Sequence, residues 1–352
     1  MPRLRLLAAF GLAFVLIATT VAQEKKDPVP APKKKEDDKK AAPPVAPPAV
    51  ADAGLTWRFT KDVPFYQELT TTTIQNIKVQ GLDVGQNQEQ TFWFKFLPIK
   101  QEGDKWVVQQ TIEGVKMKID IAGNPVSYDS TQDAATAGTN TALSEFFKQL
   151  KGSQFTLTIA KDMTVEKVDG RDEFVKKLVA ANKQLEQLLN KILGEESMKQ
   201  MADPTFGVVP KEPKKVGEKW EKKVKLALGP LGSYDNTYAF TYTKQTGDVA
   251  DIAVAVALVY TPPPADQGGE ALPFKIKEGK LTQDTDPKVT NGGTIQFNTK
   301  TGRIDSSKIA VKLTGSLKLD IGGTTTDVAL TQEQTTAVKT SDKSFIPETK
   351  TP

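Results

Sequence analysis

The chain of 352 residues has no cysteine and no histidine, and it carries 47 basic against 43 acidic residues for a net charge of +4. Those absences exclude disulfides, cysteine nucleophiles, Ser-His-Asp triads and His or Cys ligation of zinc, copper, haem or iron-sulfur groups. Carboxylate chemistry, Ser-Lys chemistry and hard cations bound through oxygen remain. Bases and acids are interspersed, which describes a solvated surface and no nucleic-acid footprint.

Met1 to Ala22 has the three parts of a secretory signal peptide: Arg3 and Arg5, an apolar run from Leu6 to Ile17, and small residues ending Thr20-Val21-Ala22 before Gln23. The run is shorter than the ~20 apolar residues that a spanning helix needs. Cleavage is therefore expected, leaving no transmembrane segment and lowering the net charge from +4 to +2 with the loss of the two arginines. Lipidation of the new terminus is excluded for want of a cysteine. The expected location is the periplasm, the cell envelope or the medium. Residues 23–53, with Pro28, Pro30, Pro32, the mixed-charge run Lys33 to Lys40, Pro43-Pro44 and Pro47-Pro48, read as a disordered spacer with almost nothing to bury.

From Leu55 onward the pattern is mainly strand. Phe92, Phe94 and Phe96 alternate with Thr91, Trp93 and Lys95; between Trp106 and Ile121 the apolar parity switches from even to odd, which predicts a bulge or tight turn at Glu113-Gly114. A first helix is predicted on Leu143, Phe146, Phe147 and Leu150. A second, long one runs from about Arg171 to Gly194 on the stripe Phe174, Leu178, Ala181, Leu185, Leu188, Leu189 and Ile192. A short continuation from Glu195 to Met201 is expected to end at Asp203-Pro204. Further strands follow at Phe155 to Ile159, Trp220 to Leu228 and Val311 to Ile321, with turns at Gly152, Gly229-Pro230 and Gly322-Gly323. The segment Thr91–Phe96 followed by Gly103-Asp104 is echoed by Thr237–Tyr242 followed by Gly247-Asp248.

The fold class expected is mainly β (α+β): a large curved antiparallel sheet or half-barrel with two or three helices packed against it. It forms a single β-rich domain over residues 54–343, divisible into halves 54–205 and 206–343, with a disordered tail at 344–352. The strand after Gly247-Asp248 places Ile252, Val254, Val256, Leu258 and Tyr260 on one face and Ala253, Ala255, Ala257 and Val259 on the other. A face of alanines leaves room for the long helix, or for a ligand.

No phosphate loop, dinucleotide fingerprint, nucleophile elbow or S-x-x-K dyad occurs, so neither a cofactor nor a catalytic residue is assigned. Asp284 and Asp286 open as an EF-hand would, but Lys288 stands where a further oxygen ligand is needed, so no metal is assigned. Tyr128-Asp129-Ser130 with Asp133 could supply a carboxylate pair, although Asp and Ser are ordinary turn residues. The candidate apolar ligand cavity is formed by Phe92, Phe94, Phe96, Tyr238, Phe240, Tyr242, Ala253, Ala255 and Ala257, with core packing as the alternative for the aromatic residues.

Taken in order, Tyr128-Asp129-Ser130, the run Gly152 to Gly170, Pro210 to Trp220, and Phe297-Asn298 with Gly302-Arg303 resemble an uncharacterised family of exported bacterial proteins, a domain of unknown function, over about Leu55 to Lys343. The resemblance implies a secreted β-rich domain and carries over no catalytic residue. The expectation is a non-catalytic envelope protein that binds a polymer or another protein through its sheet. A carrier of lipid or another apolar ligand is the alternative, and a carboxylate hydrolase the third.

Overall fold

The computed structural model describes residues 54–132, 141–181, 183, 186–264, 272, 274–286, 289 and 291–346. The signal peptide, the spacer, Asp133, the side chain of Leu143, Leu185, Gly268-Gly269, Lys288 and the tail from 347 lie outside the described residues.

Thirteen strands form one sheet in which every pairing is antiparallel: β1 (Phe65–Val79), β2 (Leu82–Glu102), β3 (Lys105–Ile121), β4 (Asn124–Asp129), β5 (Gln154–Ile159), β6 (Val165–Asp169), β7 (Lys219–Ala227), β8 (Ser233–Thr246), β9 (Val249–Thr261), β10 (Lys275–Gln283), β11 (Gly292–Asn298), β12 (Arg303–Ile321) and β13 (Thr324–Ser341). The order is β6-β5-β3-β2-β1-β13-β12-β10-β9-β8-β7. β4 and β5 divide the lane beside β3, and β10 and β11 divide the lane between β12 and β9. Among the described residues four α-helices accompany the sheet: α1 (Thr141–Lys148), α2 (Arg171–Ala181), α3 (Glu186–Ile192) and α4 (Glu195–Phe206).

Tight turns set the register. Gly322 and Gly323, both at positive φ, close β12 on β13 as the primed hairpin turns require. Gly103-Asp104 and Gly247-Asp248 close β2–β3 and β8–β9 with the glycine at positive φ, so the internal echo corresponds to two equivalent hairpins. The parity switch in β3 is a β-bulge: Trp93 faces Gly114 while Phe94 faces Ile112, leaving Glu113 as the extra residue. Gly114 is required there because a Cβ would run into Trp93 and Ile346.

Three local expectations are corrected. The long helix is a hairpin of α2 and α3, because Arg171 Nε donates to the Leu193 carbonyl at 2.7 Å and Arg171 Nη2 to the Asn190 carbonyl at 3.3 Å. A straight helix would hold residues 171 and 193 about 33 Å apart at 1.5 Å per residue. Doubling back lets Phe174, Val175, Leu178, Leu188, Leu189 and Ile192 all be buried. The following helix does not stop at Asp203-Pro204 but runs on to Phe206. Phe206 is fully buried against Trp57, Phe59 and Phe96, and that burial offsets the hydrogen bond that proline forgoes in a last turn. Finally, among the described residues no helix covers the alanine face of β9: Ala255, Ala257 and Val259 are exposed, while Ile252, Val254, Val256 and Tyr260 are buried. Alanine exposes little apolar area, so it is the face of larger residues that turns inward.

The outermost strands of the sheet path, β6 and β7, both contact α4, so the sheet curls until one helix bridges its two edges. At β7 the edge backbone is satisfied by that helix: Gln200 Oε1 accepts the Ala227 N–H at 2.8 Å, and the Ser197 hydroxyl donates to the Ala227 carbonyl at 3.1 Å. The loop after α4 is also joined to the β5–β6 turn by the ion pair Lys211–Asp162 at 2.7 Å. Outside, Thr72, Lys78, Lys318, Asp327, Glu333 and Lys339 are exposed, with Ile74 between Thr72 and Lys78. Among the described residues no helix is long and apolar enough to cross a membrane.

Candidate ligand-binding site

The concave face of the sheet together with α1, α2 and α4 borders a cavity of 180 Å³. β2 supplies Phe92, Phe94 and Phe96, whose alternation aims all three inward; β5 and β3 add Phe155, Leu157 and Ile112. α1 contributes Phe146 and Phe147, Leu150 follows it, α2 contributes Phe174, Leu193 follows α3, and α4 lays Met198, Met201, Ala202 and Thr205 across the top. The rings interlock: Phe92 and Phe94 stack with centroids 5.8 Å apart, and Phe155 meets Phe174 edge-on at 4.9 Å. Polar groups in this wall are few and uncharged, namely Gln67, Gln90, Gln110 and Thr205.

Past Phe92 toward the β1–β2 turn, the inward positions change character. Gln86, Gln88 and Gln90 of β2, Thr71, Thr73 and Gln75 of β1, and Gln332 and Thr336 of β13 are all buried, a polar belt across three adjacent strands. Its members bond mainly to one another: Gln75 Nε2 donates to Gln332 Oε1 at 3.2 Å and Gln332 Nε2 to Gln334 Oε1 at 3.4 Å. Beyond the belt is a second cavity of 60 Å³ between β7, β8 and β9 on one side and β12 and β13 on the other. It is lined by Tyr234, Asn236, Tyr238, Gln332 and Gln334 together with Leu226, Val256, Leu258, Ile309, Val311 and Leu313. Burial pushes the Tyr234 and Tyr260 hydroxyls far above the ordinary tyrosine range, so both stay protonated donors. Tyr260 donates to the Leu231 carbonyl at 2.9 Å, whereas the Tyr234 hydroxyl is buried without a partner, as are Gln75 Oε1 and Ser307 Oγ.

The residues singled out from sequence therefore divide. Phe92, Phe94 and Phe96 share the larger cavity, and Tyr238 lines the smaller one. Phe240 packs in the core, stacked on Trp220 at 5.2 Å, and the Tyr242 hydroxyl donates to Gln245 Oε1. Ala253, half-buried, and the exposed Ala255 and Ala257 lie on the outer face, away from both cavities. Sequence reasoning passed over the glutamine belt. The signal was present as parity, because Gln86, Gln88 and Gln90 precede Phe92 on the same face and Gln332 and Gln334 follow Val328 and Leu330.

The carboxylate candidates are engaged in turns. Partial burial works against ionisation of Asp129, but the hydroxyl and backbone N–H of Thr131 and the Lys116 ammonium at 3.3 Å outweigh it, holding its carboxyl below the ordinary range. A general acid needs the opposite shift. Asp284 is likewise held low by the backbone N–H of Asp286 and by Lys312, whose ammonium is 3.0 Å from its carboxylate.

The motifs behind the family resemblance do structural work in the same way. The Ser130 hydroxyl accepts the Val115 N–H at 2.7 Å beside the bulge, and Tyr128 stacks on Phe147 at 5.9 Å. Gly217 donates to the Tyr242 carbonyl at 2.7 Å, and Trp220 Nε1 to the Val208 carbonyl at 3.1 Å. Gly302 accepts the Arg58 N–H at 2.9 Å, and Arg303 lies 5.3 Å over the Phe65 ring while pairing with Asp342 at 3.0 Å.

No curated protein matches the sequence. Among solved structures, similarity is found to lipovitellin, in a structure concerned with lipid-protein interactions, at 7% identity and a TM-score of 0.44 over 84% of this chain; the match spans about a quarter of that chain, 26%. The COG4313 outer membrane channel of Pseudomonas putida F1 is similar at 9% identity and a TM-score of 0.23, covering 84% of this chain and 100% of the channel. Pseudomonas aeruginosa OccK5 is similar at 6% identity and a TM-score of 0.21, covering 80% and 99%. At these scores the likenesses carry no inference about function. A family model described as a family of unknown function (DUF6263) matches residues 103–304, more than half of the sequence, and the chain belongs to that family.

Proposed function

We propose that this is an exported, non-catalytic binding protein that carries a lipid or another apolar molecule between its concave sheet and its helices. The observation that supports this reading is the 180 Å³ cavity walled by phenylalanine side chains from β2, β5, α1 and α2. A cavity of about 150 Å³ lined by Leu, Ile and Phe is large enough to take up benzene, so this one suits an aromatic ring or a stretch of alkyl chain. The signal-peptide pattern of Met1 to Ala22 supports export, and the polar outer face suits a carrier that moves through water. Of the partners considered from sequence, envelope polymer, protein and lipid, the buried apolar chamber favours lipid.

The neutral fluorophore N-phenyl-1-naphthylamine tests this directly. Saturable, blue-shifted emission is expected with the native protein, and Ala202→Phe, which projects a ring into the chamber, is expected to weaken binding by about tenfold with an unchanged far-UV circular dichroism spectrum. Thr205→Phe serves as a second filling variant. Emission that never saturates, or equal binding by the native and both filled proteins, would sink the proposal.

A further inference from the structure

The wall of the phenylalanine chamber contains a polar residue that packing does not explain. Gln110 of β3 stands on the inward face with Phe96 of β2 opposite it on one side, Phe155 of β5 on the other, and Val108 and Ile112 next along its own strand, all four buried. Its amide makes no hydrogen bond among the described residues, yet it is not sealed: Gln110 is half-buried and lines the cavity. The other amides of this wall are engaged, Gln67 donating to Thr340 Oγ1 at 3.3 Å and Gln90 accepting from Gln88 Nε2 at 3.4 Å. An amide without a partner in apolar surroundings is costly, and a leucine would fill the same place without that cost. Thr205 of α4 is in the same condition, half-buried and lining the cavity, with a hydroxyl that bonds to no described residue. It precedes Phe206, whose ring meets Phe96 edge-on at 5.9 Å, so both polar side chains adjoin the Phe96–Phe206 contact.

The rest of the chamber restricts what can reach them. At 180 Å³ it exceeds modestly the ~150 Å³ that accommodates benzene, which is room for one substituted ring. Phe92, Phe94, Phe155 and Phe174 offer ring faces and edges, and Met198 and Met201 offer polarisable sulfurs, the contacts an aromatic guest uses best. Among the described residues none that lines the chamber carries a formal charge, so a carboxylate or ammonium brought inside would be unpaired and strongly disfavoured. We propose that the ligand of this chamber is a small neutral phenol or aromatic alcohol, and that Gln110 and Thr205 are the groups that recognise its hydroxyl. This rests on the apolar-ligand reading above and narrows it to a ring-bearing molecule. The Gln110 side-chain carbonyl accepts the ligand's proton, while the Gln110 amide N–H or the Thr205 hydroxyl donates to the ligand's oxygen. Recognition is by hydrogen bonding alone, with no covalent bond made or broken.

Titration calorimetry of the full chain with toluene, p-cresol, 4-methylcyclohexanol and benzoate at pH 7 tests this, p-cresol being neutral there as a tyrosine side chain is. The phenol is expected to bind about fivefold more tightly than toluene, the advantage of one hydrogen bond, and about threefold more tightly than 4-methylcyclohexanol, the advantage of a ring among rings. Benzoate is expected not to bind. Gln110→Leu is expected to erase the preference for p-cresol over toluene, to bind toluene at least as well as the native protein, and not to lower the urea midpoint. A glutamine with a merely structural role would not shift that ratio. Thr205→Val is a second variant, expected to narrow the same preference. Equal affinity of the native protein for toluene and p-cresol, a Gln110→Leu protein that keeps the preference, or benzoate or 4-methylcyclohexanol binding as well as p-cresol overturns the proposal, while toluene binding leaves the apolar-ligand reading standing. If none of the four binds, the proposal falls, and absence of saturable N-phenyl-1-naphthylamine emission from the same preparation overturns the apolar-ligand reading with it.

Discussion

Gly302 shows how a single residue can hold a segment in place. Its φ is +66°, and a Cβ built on it would lie 2.7 Å from the Arg58 backbone nitrogen, the group that donates to its own carbonyl. This contact holds Leu55 to Phe59 over the core, where Trp57 meets Phe65, Phe206 and Phe297 with ring centroids 5.3 to 6.2 Å apart. Gly302→Ala is therefore expected to destabilise the fold by about 1–3 kcal/mol, through left-handed strain and displacement of the Arg58 segment. Urea unfolding with an unshifted midpoint would contradict that account. Asn298 braces the same loop, its side-chain oxygen accepting the backbone N–H groups of Lys300 and Thr301, each at 3.0 Å. Phe297-Asn298 and Gly302-Arg303, conspicuous in the sequence, thus act as a clamp. Sequence alone marks Gly302 as a turn residue but offers no sign of Arg58, which is 244 positions away.

Among the elements, α4 carries the most consequence. A curved sheet that stops short of closing leaves two edges, each a row of unpaired backbone groups. α4 contacts both, and Gln200 satisfies the Ala227 amide on β7. Gln200→Ala should leave that amide without its partner, cost about 1–2 kcal/mol, and speed hydrogen exchange at Ala227 while amides in the central β1–β13 pairing stay protected. Uniform acceleration across the sheet, or none at Ala227, would argue against an edge-specific role. The sequence made the amphipathic character of this region legible, yet not its path. The stripe from Phe174 to Ile192 fits one long helix as well as two short ones, and what selects two is Arg171 reaching the carbonyls of Asn190 and Leu193. Helical extension through Pro204 depends in the same way on a long-range gain, the burial of Phe206.

For the molecule as a whole, charge and polarity set the response to pH. Asp162 is held below the ordinary carboxylate range chiefly by the Lys211 ammonium, Asp320 by Lys277, Asp284 by the Asp286 N–H and then Lys312; at Asp129 the bonds from Thr131 and Lys116 override the opposing effect of burial. Each depressed value means that the unfolded chain binds the proton more readily. The stability these groups contribute is present above about pH 4 and is lost as the pH falls through their folded values. With no histidine in the chain, the urea midpoint should be nearly flat from about pH 8 to 5 and decline below about pH 4; a midpoint at pH 3 equal to that at pH 6 would refute the assignment. Composition and periodicity by themselves determined the class of this protein, because strand alternation, the β3 bulge at Glu113-Gly114 and the hairpin glycines are local properties written within a few residues of each other. Only the tertiary structure decided the site. Which face of β9 turns inward, which of two equivalent aromatic runs borders the larger cavity, and whether Gln86, Gln88 and Gln90 face water or one another all depend on β1 pairing with β13 from the far end of the chain. Pairing at that separation leaves no trace in a local window, since the energy that fixes it is gained only when distant apolar faces and amide groups meet.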